Sequence, residues 1–282
     1  MLRVPGNTWW ATLGGTAFHE VTEVVDLNEH LGVPLTYDEA VALLPQALED
    51  AVDYQAQRYP HDDIKPSGRV TKELGWSGGP NKKDRAWVEH FLPIMLQQYM
   101  DWRAETGWRV AEFDGTPAIE LPIDVNVVHP ETGEVLRVVG SIDRVFTVPF
   151  RGLFVVDIKT GAVPASVLQP ATYGVGLSIM HGARAKWGAY WSPNRDGGRL
   201  VEHRIDRWDD DSLSRLYLSA RQGMEAGIFL PNITDLCRGC GVRDYCWGFS
   251  GSKAHDAMEK LNETRTITTL PAGSVPAATE SE

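Results

Sequence analysis

The stretch "VVDIKTGAVPASVLQPATYG", residues 155–174, sets an aspartate and a lysine two positions apart and a glutamine and a tyrosine four apart. On an extended chain alternate side chains share a face, so Val155, Asp157 and Lys159 point one way while Phe154, Val156 and Ile158 point the other. A carboxylate and an ammonium on one face suit phosphodiester hydrolysis. Hard oxygen ligands hold Mg²⁺ or Mn²⁺, and a lysine orients water or meets the charge that builds on phosphorus. The same tripeptide at a solvated strand end would do none of this, and a bare D-x-K is common by chance.

Neighbouring segments add partners. In "VVGSIDRV", Asp143 has the parity of Ser141, and the short connection "TVPFRG" makes its strand a neighbour of the one holding Asp157. Two carboxylates and an ammonium then converge at one end of a sheet. Gln169 and Tyr173 fall on one helix face. Their alternative use is packing. Glu120 in "AIELPI" is a supporting candidate whose parity relative to Asp143 stays open, because a register slip of one residue turns it away.

The elements that must hold these residues come in a definite order. "GGTAFHEVTEVVDLNEHLG" reads as a helix from about Thr16 to His30, with Phe18, Val21, Val25 and Leu27 on one face. Thr36 and Glu39 form a capping box for a second helix carrying Leu43, Leu44, Ala47, Leu48, Ala51 and Tyr54, with a kink expected at Pro45. Residues 61–81 are a loop. A third helix, Lys82 to Glu105, carries Trp87, Phe91, Ile94, Met95, Tyr99 and Trp102 along one side, with Pro93 as a kink.

Period-two alternation follows in "WRVAEF", "PAIELPIDVNVV", "EVLRVVGSIDRVFTV" and "GLFVVDIK", a meander of three or four strands. Then come a helix from about Ser166 to Met180, strands "AKWGAYWS" and "RLVEHRI", and a helix from about Asp210 to Ala226. The fold class is α/β in the α+β sense. A single domain spans 1–265, with a helical part (1–106), a sheet core (107–228) and a cysteine segment (229–265). The tail 266–282 is expected to be disordered.

Composition narrows the function classes. The 282 residues are 43% hydrophobic, enough for a packed core, and 27 basic against 38 acidic residues give a net charge of −11. That balance opposes a surface basic all over, though not a local basic groove. With no apolar membrane-length stretch and no signal peptide in "MLRVPGNTWW", a cytoplasmic protein without a membrane partner is expected. Basic residues gather at Lys82, Lys83 and Arg85, at Arg184 and Lys186, and at Arg238 and Arg243, mostly as solvated surface. Trp9, Trp10 and Trp76 stand in Gly-rich contexts where they could stack on unpaired bases.

The three cysteines, Cys237, Cys240 and Cys246, lie within ten residues in a C-x₂-C-x₅-C pattern. In a reducing compartment this spacing favours metal ligation over disulfides. Zn²⁺ and an iron–sulfur cluster both accept thiolates, and each normally takes four ligands.

In order, "GSIDRV", "FVVDIKTG" and "QPATY" resemble the core motifs of the RecB-like nucleases of the PD-(D/E)XK superfamily. That family adds a G-x-x-x-H on an N-terminal helix, matched by Gly15 and His19 in "GTAFHE". The resemblance implies a restriction-endonuclease-like core, a mixed central sheet flanked by helices. It implies His19, Asp143 and Asp157 as side-chain metal ligands with the Ile158 carbonyl completing the shell, Lys159 as the catalytic lysine, and Gln169 and Tyr173 orienting it or touching a phosphate. The activity implied is a Mg²⁺- or Mn²⁺-dependent DNA exonuclease acting in recombination, repair or replication, with a helicase or recombinase as protein partner, and the tryptophans named above point to single-stranded ends as its substrate.

The cysteines are similar to those of AddB-type nuclease domains and the CRISPR-associated iron–sulfur exonucleases, which implies a 4Fe–4S cluster with Zn²⁺ as the alternative. Those proteins have a fourth cysteine upstream of the histidine helix. None of the 18 residues before His19 is cysteine. A start upstream of the recorded one, a different fourth ligand, or a labile cluster would each account for that. Two other classes compete: a non-catalytic nucleic-acid-binding or assembly subunit on a nuclease fold, and a zinc-binding structural protein.

Overall fold

The computed structural model describes residues 8–60, 63–67, 82–226 and 246. Most of the expected loop at 61–81 lies outside them, as do Cys237, Cys240 and the 266–282 tail. Cys246 is partly buried. Asn7–Phe229 is one compact unit, and the elements below all belong to it.

A short strand β1 (Thr8–Trp9) leads into α1 (Trp10–His30), six residues earlier than the expected start. Ala17, Phe18, Val21 and Val25 are buried at helical intervals, and covering a Phe or Val side chain contributes about 1.5–3 kcal/mol each. Leu27 is 39% exposed; two positions past Val25 the helix has turned it off the core face. The second expected helix is two: α2 (Tyr37–Val41) and α3 (Leu44–Arg58). Both bonds of the Thr36–Glu39 capping box are present. Pro45 does not kink a continuous helix but stands in the first turn of α3, where its missing N–H would have had no partner anyway. Leu43 and Tyr54 are exposed.

After β2 (Ile64–Lys65), which pairs with β1, comes α4 (Arg85–Thr106). Asp84 caps it by accepting from Trp87 N at 2.9 Å. Pro93 lies inside it, and the Pro93 carbonyl accepts from Tyr37 Oη at 3.2 Å. Trp87, Phe91, Met95, Tyr99 and Trp102 are buried as expected, whereas Ile94 is exposed. Trp10 packs against the same core and carries the Arg85 guanidinium at 5.6 Å, so its ring is already in use.

"WRVAEF" is not one strand. It is β3 (Arg109–Val110) and β4 (Glu112–Phe113), the latter forming a ribbon with β5 (Thr116–Pro117). β6 (Ile119–Val128), β7 (Val135–Val148) and β8 (Gly152–Ile158) form the expected antiparallel meander. α5 (Leu168–His181) crosses over to β9 (Trp187–Asn194), which is parallel to β8; β10 (Gly197–Arg204) and α6 (Asp210–Glu225) follow. The six-stranded sheet runs β10-β9-β8-β7-β3, with β6 also on β7. It is a mixed sheet with helices on both faces.

Two cores result. On one face α1, α3 and α4 cover Phe146, Phe154, Val156 and Trp191. On the other, α5 covers Leu121, Ile123, Val145 and Val155. Close approach is needed on that side: a Cβ at Gly188 would lie 2.5 Å from Pro170 Cβ, and one at Gly176 would lie 2.8 Å from Ile123.

The alternation of faces slips where the cores meet. Ile119 packs against the first core and Leu121 belongs to the second, although residues two apart should share a face. Between them Glu120 has φ 45°, a left-handed backbone that costs a non-glycine residue about 1–2 kcal/mol. On β7, Ile142 faces the second core while the Arg144 side chain reaches α1.

Candidate active site

The register explains why the acids meet. Arg144 pairs with Val156, so one step further sets Asp143 opposite Asp157. Glu120, between the pairs Ile119–Arg144 and Leu121–Ile142, likewise faces Asp143. The three carboxylates form a row across three strands, at the slip between the two cores. α1 delivers the imidazole: Phe18 stacks on Trp191 with centroids 5.8 Å apart, and the next residue is His19.

His19 Nε2 lies 3.0 Å from the Ile158 carbonyl. That oxygen can only accept, so Nε2 carries the proton and Nδ1 faces Asp143 Oδ2 at 3.7 Å and Glu120 Oε1 at 3.8 Å. Asp143 Oδ2 accepts from Ile158 N at 2.7 Å, and Ser141 Oγ donates to Glu120 at 3.1 Å. Asp157 is engaged differently. Its Oδ2 pairs with Lys159 Nζ at 2.6 Å, and its Oδ1 accepts from Gln169 Nε2 at 2.5 Å. Gln169 Nε2 also donates to Tyr173 Oη at 2.7 Å. The expected sharing of one face by Asp157 and Lys159 is therefore seen, and so is the i, i+4 pairing of Gln169 with Tyr173.

The charges press on each other. Burial, and then the Asp143 charge, push the Asp157 carboxyl up to about 6, against the pull of Lys159. Burial also raises Asp143, although His19 opposes it. Burial works against protonated His19, yet Glu120 and Asp143 carry it above its ordinary value. Burial would raise Glu120, but His19, Arg144 and Ser141 outweigh it and hold the carboxyl low. Burial drives the Tyr173 hydroxyl well up, so it stays neutral.

Ligand atoms of His19, Glu120 and Asp143 all lie within 4.8 Å of one another. An imidazole nitrogen and carboxylate oxygens fit a hard divalent cation such as Mn²⁺ or Mg²⁺. This grouping takes Glu120 in, while both Asp157 oxygens already have partners. The open cleft in front holds about 580 Å³ and is lined by His19, Glu20, Glu23, Glu120, Lys159 and Thr160 among others.

Behind the row lies a cluster that sequence reasoning missed. Arg144, fully buried, donates to Asp26 at 2.5 Å, to Thr22 Oγ1 at 3.2 Å and to the Asp143 carbonyl at 2.5 Å. It also lies 3.4 Å from Glu120. Asp26 further accepts from Arg103 at 2.8 Å and Tyr99 at 2.5 Å, and Arg103 reaches Glu29 at 2.7 Å. Thr22 Oγ1 returns to the His19 carbonyl at 2.9 Å. The sequence signal was an arginine directly after Asp143 on a strand buried on both faces.

A mixed sheet with helices on both faces and a carboxylate row ending in D-x-K defines the restriction-endonuclease-like α+β class. The chain belongs to the PD-(D/E)XK nuclease superfamily, whose sequence model matches residues 11–247. It is 29% identical over 243 residues to the Gene 69 protein of Mycobacterium phage D29, covering 82% of this chain and 83% of that one. The crystal structure of SSO0001 aligns over 83% of this chain and 94% of its own, at 14% identity and a TM-score of 0.36. Among the described residues no helix is long and apolar enough to cross a membrane.

Proposed function

We propose that the protein is a metal-dependent DNA exonuclease acting on single-stranded ends. The observation that carries this is the row Glu120–Asp143–Asp157, three carboxylates faced by one ammonium and one imidazole. His19, Glu120 and Asp143, whose ligand atoms cluster, would hold the cation, together with Asp157, which the family resemblance implies as a further side-chain ligand. When bound, Mg²⁺ or Mn²⁺ supplies Lewis acidity toward a phosphodiester and makes water a stronger acid. The chain does the rest. Gln169 and Lys159 fix the Asp157 carboxylate, Tyr173 steadies Gln169, and the Lys159 ammonium, 28% exposed, meets the negative charge that grows on the phosphate.

The test is cleavage of end-labelled single- and double-stranded DNA with Mn²⁺, with Mg²⁺ and with EDTA, beside a closed circular substrate. Wild type should shorten free ends only with metal and spare the circle. Asp157→Ala and Lys159→Ala should lower the rate by about 10²–10⁴-fold while the protein stays folded. Wild-type rates in either variant overturn the reading, and binding without cleavage by wild type would favour a non-catalytic subunit. For Cys237, Cys240 and Cys246 the proposal remains a 4Fe–4S cluster, and zinc without iron in an anaerobic preparation would replace it with a zinc site.

A further inference from the structure

The basic residues near the start of α4 are not equivalent. Arg85 is tied to Glu49 and, at 2.7 Å, to Glu89. Lys82 is exposed. Lys83 is half-buried and has no carboxylate partner among the described residues; its ammonium lies 4.8 Å from the centroid of the Trp87 ring. Its backbone is pinned on both sides, because Ser67 and Lys83 exchange hydrogen bonds at 3.1 and 2.9 Å. Burial alone pulls its ammonium below the ordinary lysine value. An ammonium partly withdrawn from water and, among the described residues, without a carboxylate beside it is costly, and an anion would relieve it.

The place where an anion would sit adjoins the active site. Lys83 and Thr160 are the polar side chains of a cavity of about 40 Å³ whose remaining walls are glycines and apolar groups, Val88, Leu92 and Met95 among them. Gly15, Thr160 and Gly161 also line the large cleft with His19 and Lys159. On a scale where one water needs about 10–15 Å³, the cavity has room for one small anion. A Cβ on Gly15 would stand 3.0 Å from Thr160 Oγ1, so a side chain there would narrow the passage between the two spaces. Thr160 follows the catalytic lysine directly in sequence.

We propose that Lys83, with the Thr160 hydroxyl, binds a backbone phosphate of the nucleic-acid strand adjacent to the phosphate at Lys159. The proposal rests on the nuclease reading above and adds to it a fixed direction for the strand, from the carboxylate row past Gly15 toward α4. The ligand is a phosphate monoanion or dianion, which a strand supplies either internally or at a 5′ end.

The experiment measures binding without cleavage. The full chain in EDTA is titrated with a fluorescent single-stranded oligonucleotide at several KCl concentrations, followed by anisotropy. Lys83→Met, which keeps the stem over Trp87, should weaken binding about 5-fold and reduce the salt slope by about 0.7, the value for one lost contact on a single strand. Lys83→Arg should restore both, and Lys82→Met should change neither. Thr160→Val tests the same site should Lys83→Met fail to fold, with a loss of about 2–3-fold at unchanged slope. A 5′-phosphorylated oligonucleotide beside its 5′-hydroxyl twin separates the sources: a Lys83 effect confined to the former assigns a terminal phosphate, an equal effect an internal one. Unchanged affinity and slope in Lys83→Met, or an equal loss in Lys82→Met, overturns the subsite and leaves the nuclease reading standing. A wild type that binds no oligonucleotide overturns both.

Discussion

Asp143 and Arg144 are neighbours in sequence and members of two clusters of opposite character. Arg144 belongs to the interior group, where Asp26 and Glu29 face Arg103 and Arg144, two against two, and Asp26 and both guanidiniums have lost nearly all contact with water. Asp143 belongs to the cleft group, where Glu120, Asp143 and Asp157 face Lys159 and His19, with Arg144 touching the side chains of this group only at Glu120, 3.4 Å away. Glu20 and Glu23 line the same cleft. The interior group is complete as it stands. The cleft group carries surplus negative charge and shifted protonation, the condition in which a cation lowers the energy most.

The largest way to break this contrast is to unbalance the interior group. Arg144→Met leaves Asp26 buried with one guanidinium fewer, and stability should fall by about 3–5 kcal/mol, read from urea unfolding. A loss under about 1 kcal/mol would mean that water reaches Asp26 and that the two clusters do not differ in kind. Adding the missing charge to the cleft group should do the reverse. Mn²⁺ at a hundredfold over its Kd should stabilise the protein by about 2.7 kcal/mol, and Glu120→Gln should remove most of that gain. An undiminished gain in Glu120→Gln would take Glu120 out of the cation site.

A similar effect is expected from protons in the metal-free protein. The Asp157 carboxyl sits at about 6 when folded and near 3.8 unfolded, so the folded state binds the extra proton. That contribution is complete below about pH 3.8 and is lost as pH rises through about 6, amounting to roughly 2–3 kcal/mol. Asp157→Asn should flatten this part of the pH–stability curve, and a curve unchanged by the substitution would show that Asp157 is not under that pressure. The smallest effect concerns Tyr173. Tyr173→Phe removes a hydroxyl that accepts from Gln169 at 2.7 Å and donates weakly to Asp157 Oδ1 at 3.5 Å, and should cost about 1 kcal/mol at most, with kcat reduced several-fold at constant KM. A fall of several kcal/mol would mean that its ring packing, and not its hydroxyl, is what the helix needs.

How legible these features were in the sequence depends on the distance over which each is decided. Asp157 with Lys159, and Gln169 with Tyr173, are set by one strand and one helix turn, and the spacing alone placed them. Asp143 opposite Asp157 followed from a short hairpin connection. His19 needed the family resemblance, since nothing local says that α1 will lie over Ile158. Glu120 could not be oriented, because its direction depends on a left-handed backbone that no alternation rule contains. Arg144 was passed over for a similar reason: its partners Asp26, Thr22 and Arg103 come from two helices far back in the chain. The break between α2 and α3 was misread because proline disrupts a helix interior yet suits its first turn.

Gly188 lies on β9 and bears no charge itself, and its missing side chain lets Pro170 settle against the sheet. Pro170 adjoins Gln169, so the backbone height at position 188 sets how far Gln169 can extend toward Asp157. A methyl group there would stand 2.5 Å from Pro170 Cβ, too close to be accommodated in place, so the first turn of α5 would have to move off the sheet and stretch a short hydrogen bond without altering any residue that makes it. The reach of the clamp on the Asp157 carboxylate is thus measured out by an atom that is not there.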